Sequence, residues 1–219
     1  RGPVVFLPEP ASELLGVLAG AVSAEAVAKN KSWLADKLNQ PVAAAAVSIL
    51  DDGGLEAGAE CFPFDGEGER CRRTLVVAEG RLSSFLFDRY QARRVKVNST
   101  GNSRRESFTT PPEVGPSSFF IQPGRDEEGD LIGQISRGVL IEQLLGIHLA
   151  DEVTGEFSVG VAGHLIEQGR LAAPVGGMVM SGQVGELFRR VEAAGSELRF
   201  FGEMGSPSLL VGEVALSGK

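Results

Sequence analysis

Histidine, cysteine, tryptophan and tyrosine are nearly missing from this sequence: its 219 residues hold two His, two Cys, one Trp and one Tyr. A helical zinc peptidase sets two histidines about one turn apart so that both imidazoles face one ion. His148 and His164 are too far apart for that, and no glutamate is flanked by histidines. Cys61 and Cys71 are too few for a disulfide framework and lack zinc-ligand spacing, so they read as reduced thiols. No apolar run approaches the ~20 residues of a membrane span. The opening RGPVVFLPEP, a short apolar run broken by prolines, does not read as a secretory signal. A basic surplus is lacking too: the net charge of −8 argues against a general nucleic-acid binder. These absences point to a cytoplasmic protein that contacts neither membrane nor nucleic acid directly. With no initiator methionine, the chain is expected to start inside a longer polypeptide.

What is present is ordinary for a globular protein, with 42% hydrophobic and 23% charged residues. Residues 4–7 read as a buried strand, and Leu14, Leu15, Leu18 and Val22 share one helical face. Ser23 caps a second short helix. The run 43–50 is apolar and ends at the turn signal DDGG, 51–54. RTLVVAEGRLSSFLFD reads as a hairpin around Glu79-Gly80. Residues 88–95, 126–136 and 184–191 have helical character, the last with Gly195 as its stop. Residues 118–122, 138–145, 197–201 and 208–216 read as strands or apolar segments. VVAEGRLSS at 76–84 is echoed by LIEQGRLAA at 165–173, through convergence on good hairpin chemistry or through an internal duplication. Helices and hairpins alternate without a βαβ rhythm. The expected class is α+β, a mixed, largely antiparallel sheet with flanking helices.

Candidates for chemistry are few. Cys71 has arginines beside it that would favour a thiolate, but no positioned base accompanies it. Ser158 and Ser181 lack the G-x-S-x-G elbow, and neither a phosphate loop nor a dinucleotide fingerprint occurs. The carboxylate pairs Asp51-Asp52 and Glu127-Glu128 fall where turns are expected, and solvation accounts for them. Two features stand out. In EFSVGVAGHLI, Phe157, Val159 and Val161 point one way while Ser158, Gly160 and Ala162 point the other. That small-residue face invites close approach by a packed helix or an extended peptide. The second feature is VNSTGNSRRES, 97–107, in a locally basic stretch with Arg89, Arg93, Arg94, Lys96, Arg104 and Arg105. Anion binding, gripping of a peptide carboxylate and a structural turn all fit it.

An ordered series of phrases resembles the C-terminal domain of the TldD/PmbA family. They are KSWLADKLNQPVAAAAVSILDD at 31–52, FPFDGEGERCRRT at 62–74, LFDRYQARR at 86–94, STGNSRR at 99–105, TGEFSVGVAGHLIEQG at 154–169 and GSPSLLVGEVALSG at 205–218. The resemblance implies an N-terminal domain of comparable size ahead of this one. In the family's TldD-like type, an HExxxH motif near the start of this domain and a late cysteine bind zinc. The sister type, PmbA or TldE, lacks these ligands and pairs with the first. Here the start reads RGPVVFLPEPASELLG, without histidine, and the late segment FGEMGSPSLL carries Met204 in place of a cysteine.

The resemblance therefore implies a non-catalytic PmbA/TldE-like subunit of a two-component zinc metallopeptidase acting on unfolded peptides. No metal or cofactor is expected in this chain, and zinc is expected in a TldD-like HExxxH partner. The oligomer would be that heterodimer or a homodimer. The alternative is a stand-alone peptide-binding or scaffold module. An older association of the family with DNA gyrase would make it a DNA-associated regulator, which the acidic charge opposes. STGNSRR occurs in both family types, so it is read first as a structural loop at a subunit or peptide cleft. If it grips substrate or partner, the residues are Ser99, Thr100, Asn102 and Arg105, with Asn102 on a peptide backbone and Arg105 on a carboxylate. Ser158 and Gly160 would then lie on a strand offering its edge to an extended peptide.

Overall fold

A computed structural model of the chain describes residues 1–56, 62–105, 107 and 109–218. The chain opens with β1 (Gly2–Phe6), α1 (Pro8–Ala21), α2 (Ala24–Ala28), β2 (Ile49–Asp52), β3 (Arg73–Ala78), β4 (Arg81–Leu82) and α3 (Arg89–Val95). It continues with β5 (Ser103–Arg104), β6 (Glu113–Val114), β7 (Phe119–Ile121), α4 (Glu128–Gly133) and β8 (Arg137–Leu145). After a 3-10 turn (Ile147–Leu149) come β9 (Glu156–Glu167), β10 (Arg170–Gln183), α5 (Val184–Phe188) and β11 (Val191–Ala194). The last elements are β12 (Arg199–Phe201), β13 (Met204–Ser206), β14 (Leu209–Val214) and β15 (Leu216–Ser217). The class is α+β, with mixed sheets and flanking helices.

A seven-stranded sheet runs β11-β14-β1-β8-β9-β10-β15, and a six-stranded sheet runs β12-β13-β7-β2-β3-β4. Pairing is antiparallel except for β1 with β8 and β13 with β7, which are parallel. α1 packs against strands of both sheets. Its leucines 14, 15 and 18 are fully buried, in one core with Val4 and Phe6 of β1, Ile49 of β2, Phe119 of β7 and Val159 of β9. The period of two along β1 sends Val5 to the opposite face, where Leu131 and Ile132 of α4 cover it together with Leu140, Ile166 and Leu210. Among the described residues, no helix is long and apolar enough to cross a membrane.

The two echoed phrases form the same local structure in different sheets. Glu79-Gly80 and Gln168-Gly169 both hold positive φ at both turn positions, the geometry of a tight hairpin whose twist matches its strands. Along β9 the expected alternation is present: Phe157, Val159 and Val161 are buried, and Ser158, Gly160 and Ala162 are not. From Gly160 to Glu167 both edges of β9 are taken, by β8 on one side and β10 on the other, so Gly160 offers no edge for strand addition; Glu156–Val159, with Ser158, pairs with β10 alone.

Two other expectations change. The helix at 184–191 stops at Phe188, and Val191–Ala194 forms β11 against β14. Gly195 donates its amide to Ser208 O and so extends a strand connection rather than closing a helix. Here tertiary pairing overrides a local 3.6-residue periodicity. The second concerns Asp51, which belongs to β2 and is 1% exposed, so it is not a solvated turn residue. The turn follows at Gly53 and Gly54.

Because α1 fills the space between the sheets, Leu18→Ala should lower unfolding stability by about 3 kcal/mol. Leu145→Ala, at a side chain 58% exposed, should change it by less than about 0.5 kcal/mol. Urea denaturation of both variants checks the contrast.

Candidate functional site

The STGNSRR run turns inward. Ser99 Oγ donates to Phe87 O at 3.1 Å and accepts from Gly101 N at 3.0 Å. Thr100 Oγ1 accepts from Phe87 N at 2.7 Å, and its hydroxyl lies 3.1 Å from Phe87 O. Gly101 has φ +78°, and a Cβ there would sit 2.6 Å from Arg70 O, so only glycine lets the run pass the 62–74 loop. Cys71 Sγ lies on the same crossing, 3.6 Å from Gly101 O, while Cys61 falls outside the described residues.

Two buried aspartates fasten the run. Asp51 Oδ2 accepts from Asn102 Nδ2 and from Ser117 Oγ, both at 2.6 Å, and Oδ1 accepts from Ser117 N at 2.6 Å. Asn102, fully buried, also donates to Gly115 O at 3.1 Å. Asp65 Oδ1 accepts from Glu67 N and Glu69 N, closing its own Asx turn, and Oδ2 accepts from Ser103 N at 3.1 Å. Arg104 Nε donates to Pro116 O at 2.6 Å, and its guanidinium lies 5.8 Å from the Phe62 ring centroid. Arg105 donates from Nε to Gly66 O and from Nη1 to Thr110 O. Ser99, Thr100, Asn102 and Arg105 thus stand together in one clip that joins the segments 62–71, 87–91 and 113–117.

Ser158 and Gly160 are elsewhere, on the outer face of the seven-stranded sheet. Gly160 lies between Leu145 of β8 and Val179 of β10 in register. Farther along, His164 Nδ1 lies 3.2 Å from Glu142 Oε1. The two aspartates are what the sequence reading missed. Asp65 had a usable signal, since an Asp-Gly-x-Gly run favours an Asx turn. Asp51 had none, because its partners are distant in sequence.

A second constellation lies where α1 meets β13. Every residue of α1 is buried except Glu9, Glu13, Gly16 and Gly20, which recur on one face at helical spacing. A Cβ at Gly16 would lie 4.0 Å from Met204 Cγ. The two places where the resemblance would look for zinc ligands, the early helix and the late segment, therefore adjoin in space. Their donors do not fit zinc: a thioether at Met204, no imidazole, and single carboxylates at Glu9 and Glu13. Among the described residues, no group of three or more His, Cys, Asp or Glu side chains is placed to hold a metal. Burial, and then the neighbouring Glu9 charge, push the Glu13 carboxyl above its usual range.

Burial also raises the Asp51 carboxyl, against the opposing pull of the Ser117 and Asn102 hydrogen bonds and the Arg104 charge. A carboxyl raised in this way binds its proton more tightly folded than unfolded. Its contribution is complete below the ordinary carboxylate value and is lost as pH rises through the folded one. Asp51→Asn should cost about 3 kcal/mol, since its two-hydrogen NH2 would face the Asn102 and Ser117 donors, whereas a protonated carboxyl has a single hydrogen that the Ser117 hydroxyl can accept. The gap between wild type and variant should narrow as pH rises from about 4 toward neutrality. Urea titrations across that range test it, and a widening gap would contradict it.

Comparison with known proteins fits this geometry. The family model described as the PmbA/TldA metallopeptidase C-terminal domain matches residues 1–218. The chain is 25% identical to the metalloprotease PmbA of Escherichia coli O157:H7, over all of this chain and 46% of that protein. It is 27% identical over 164 residues to a metalloprotease TldD homolog of Haemophilus influenzae, covering 74% of this chain and 34% of that one. The crystal structure of TldE from Thermococcus kodakarensis superposes with a TM-score of 0.91 at 27% identity, covering 99% of this chain and 50% of that chain. The chain thus spans about half, or less, of the proteins it matches. With the family model matching from end to end, the chain belongs to the PmbA/TldD metallopeptidase family, over its C-terminal domain.

Proposed function

We propose that the chain is a non-catalytic PmbA/TldE-like subunit of a two-component zinc metallopeptidase acting on unfolded peptides. The observation that carries the reading is the α1–β13 junction. Gly16 and Met204 face each other there, and the donors nearby do not make a zinc site. A fold that keeps the early helix and the late strand in contact without metal donors suits a subunit whose chemistry is supplied by its partner. The likeness to a solved TldE supports the same type. A TldD-like protein with an HExxxH motif is the partner this reading requires, and zinc belongs to that partner.

The clip fits the role as architecture. With Asn102 buried and Arg105 held to Gly66 and Thr110, it keeps a loop cluster rigid without itself taking substrate. The test is zinc content and peptidase activity of the chain alone, of a TldD-like HExxxH protein alone, and of the two mixed. The subunit role predicts no stoichiometric zinc in this chain, and full activity only in the mixture. Stoichiometric zinc and peptidase activity in this chain alone would overturn it.

A further inference from the structure

Beside the clip, with which it shares Phe87, α2 and α3 leave between them an open groove of about 440 Å³, within the range of ligand-binding pockets. Val27 of α2, Leu38, Phe87, Val95 at the end of α3 and Val97 just beyond it make it apolar, with Arg94 in its lining. The lining is unusually open to solvent for such residues: Leu38 is 46% exposed, Val95 59% and Val97 48%. Beside the groove, Arg94 lies over the Tyr90 ring, 5.9 Å from its centroid.

The two segments that build the groove are net basic, opposite in sign to the chain as a whole, and one of their basic residues, Arg94, lines it. The segments that build it, 24–38 and 85–97, carry seven basic residues: Lys29, Lys31, Lys37, Arg89, Arg93, Arg94 and Lys96. They carry three acidic ones, Glu25, Asp36 and Asp88. Glu25 and Lys29 cancel as an ion pair at 2.6 Å, and Asp88 is buried, capping α3 by accepting from Gln91 N. From neighbouring elements Glu113 acts on Lys29 and Glu67 accepts from Arg89 N, so the basic surplus rests on Lys31, Lys37, Arg93, Arg94 and Lys96. Net-basic segments beside a groove lined in part by Arg94, on a protein of net charge −8, set up a local field that favours anionic partners.

We infer that this groove docks an acidic polypeptide segment whose leucine or phenylalanine side chains enter the apolar floor while its carboxylates meet the basic segments beside it. Symmetry favours a segment over a second copy of the chain. A two-fold pair would set the net-basic segments of one copy against those of the other, because such a contact repeats the same patch on both partners. The inference stands apart from the subunit reading, since it is measured on this chain without partner or zinc.

The probes are two short fluorescein-labelled peptides with the same leucines and phenylalanine, one spaced by glutamates and one by lysines. Averaged over its whole surface, an acidic chain should prefer the lysine peptide. Docking at the groove predicts the reverse, with the glutamate peptide bound at least about tenfold tighter at low salt and the preference shrinking as salt screens the basic segments. Val95→Asp and Leu38→Asp, both at exposed positions, should each weaken it about tenfold with unchanged circular dichroism, and Arg94→Glu should reduce the preference for glutamate. Equal binding of the two peptides, or binding unaffected by both aspartate variants, would overturn the inference. So would a concentration-dependent dimer, seen by sedimentation, that Val95→Asp abolishes.

Discussion

A carboxylate taken out of water costs several kcal/mol unless the protein replaces its lost hydration, and Asp51 is such a group. Three donors at 2.6 Å do the replacing, from Asn102 and from both the amide and hydroxyl of Ser117. None of the three is near Asp51 in sequence. The segments that supply them can therefore stay in place only while the carboxylate does. Asp65 repeats the device on the other side of the run, through Ser103. Between them the two aspartates convert an irregular loop into a fixed joint. From that joint, Ser99 and Thr100 hold Phe87, whose side chain lines the groove between α2 and α3. The joint thus reaches the groove through Phe87.

The other organising feature is α1. A helix buried on nearly every side belongs to a protein interior, and α1 is held by sheets on both flanks. Only the stripe of Glu9, Glu13, Gly16 and Gly20 is left partly open, and Met204 comes up beside Gly16. Two glycines and two acids on one face make neither a good core nor a metal site. Such a stripe costs packing, and the proposed subunit role gives it a context: a scaffold shared with a catalytic partner type, with different side chains at the same junction.

Much of this was legible from local pattern. The leucines of α1, the two positive-φ hairpins and the alternating β9 follow from spacing and turn chemistry alone. Residues 184–194 show where local pattern fails. Val184, Leu187, Phe188 and Val191 keep helical spacing, yet the segment divides into α5 and β11 because β14 offers backbone partners to its second half. Asp51 fails for the same kind of reason. An aspartate before Gly-Gly looks like a solvated turn until the residues that bury it, far along the chain, are brought beside it. The STGNSRR run was visible as a motif, but which of its three candidate roles it serves depends on what lies across from it.

The claim that this run is an anchored joint is tested most directly by native-state hydrogen exchange at the amides of Ser117 and Ser103, which donate to Asp51 and Asp65. An anchored joint should open only with the whole domain. Both amides should then exchange with free energies close to that of global unfolding, as core strands do. Exchange at near-unprotected rates, while the amides of β8 and β9 remain protected, would contradict it and leave the run a mobile surface loop.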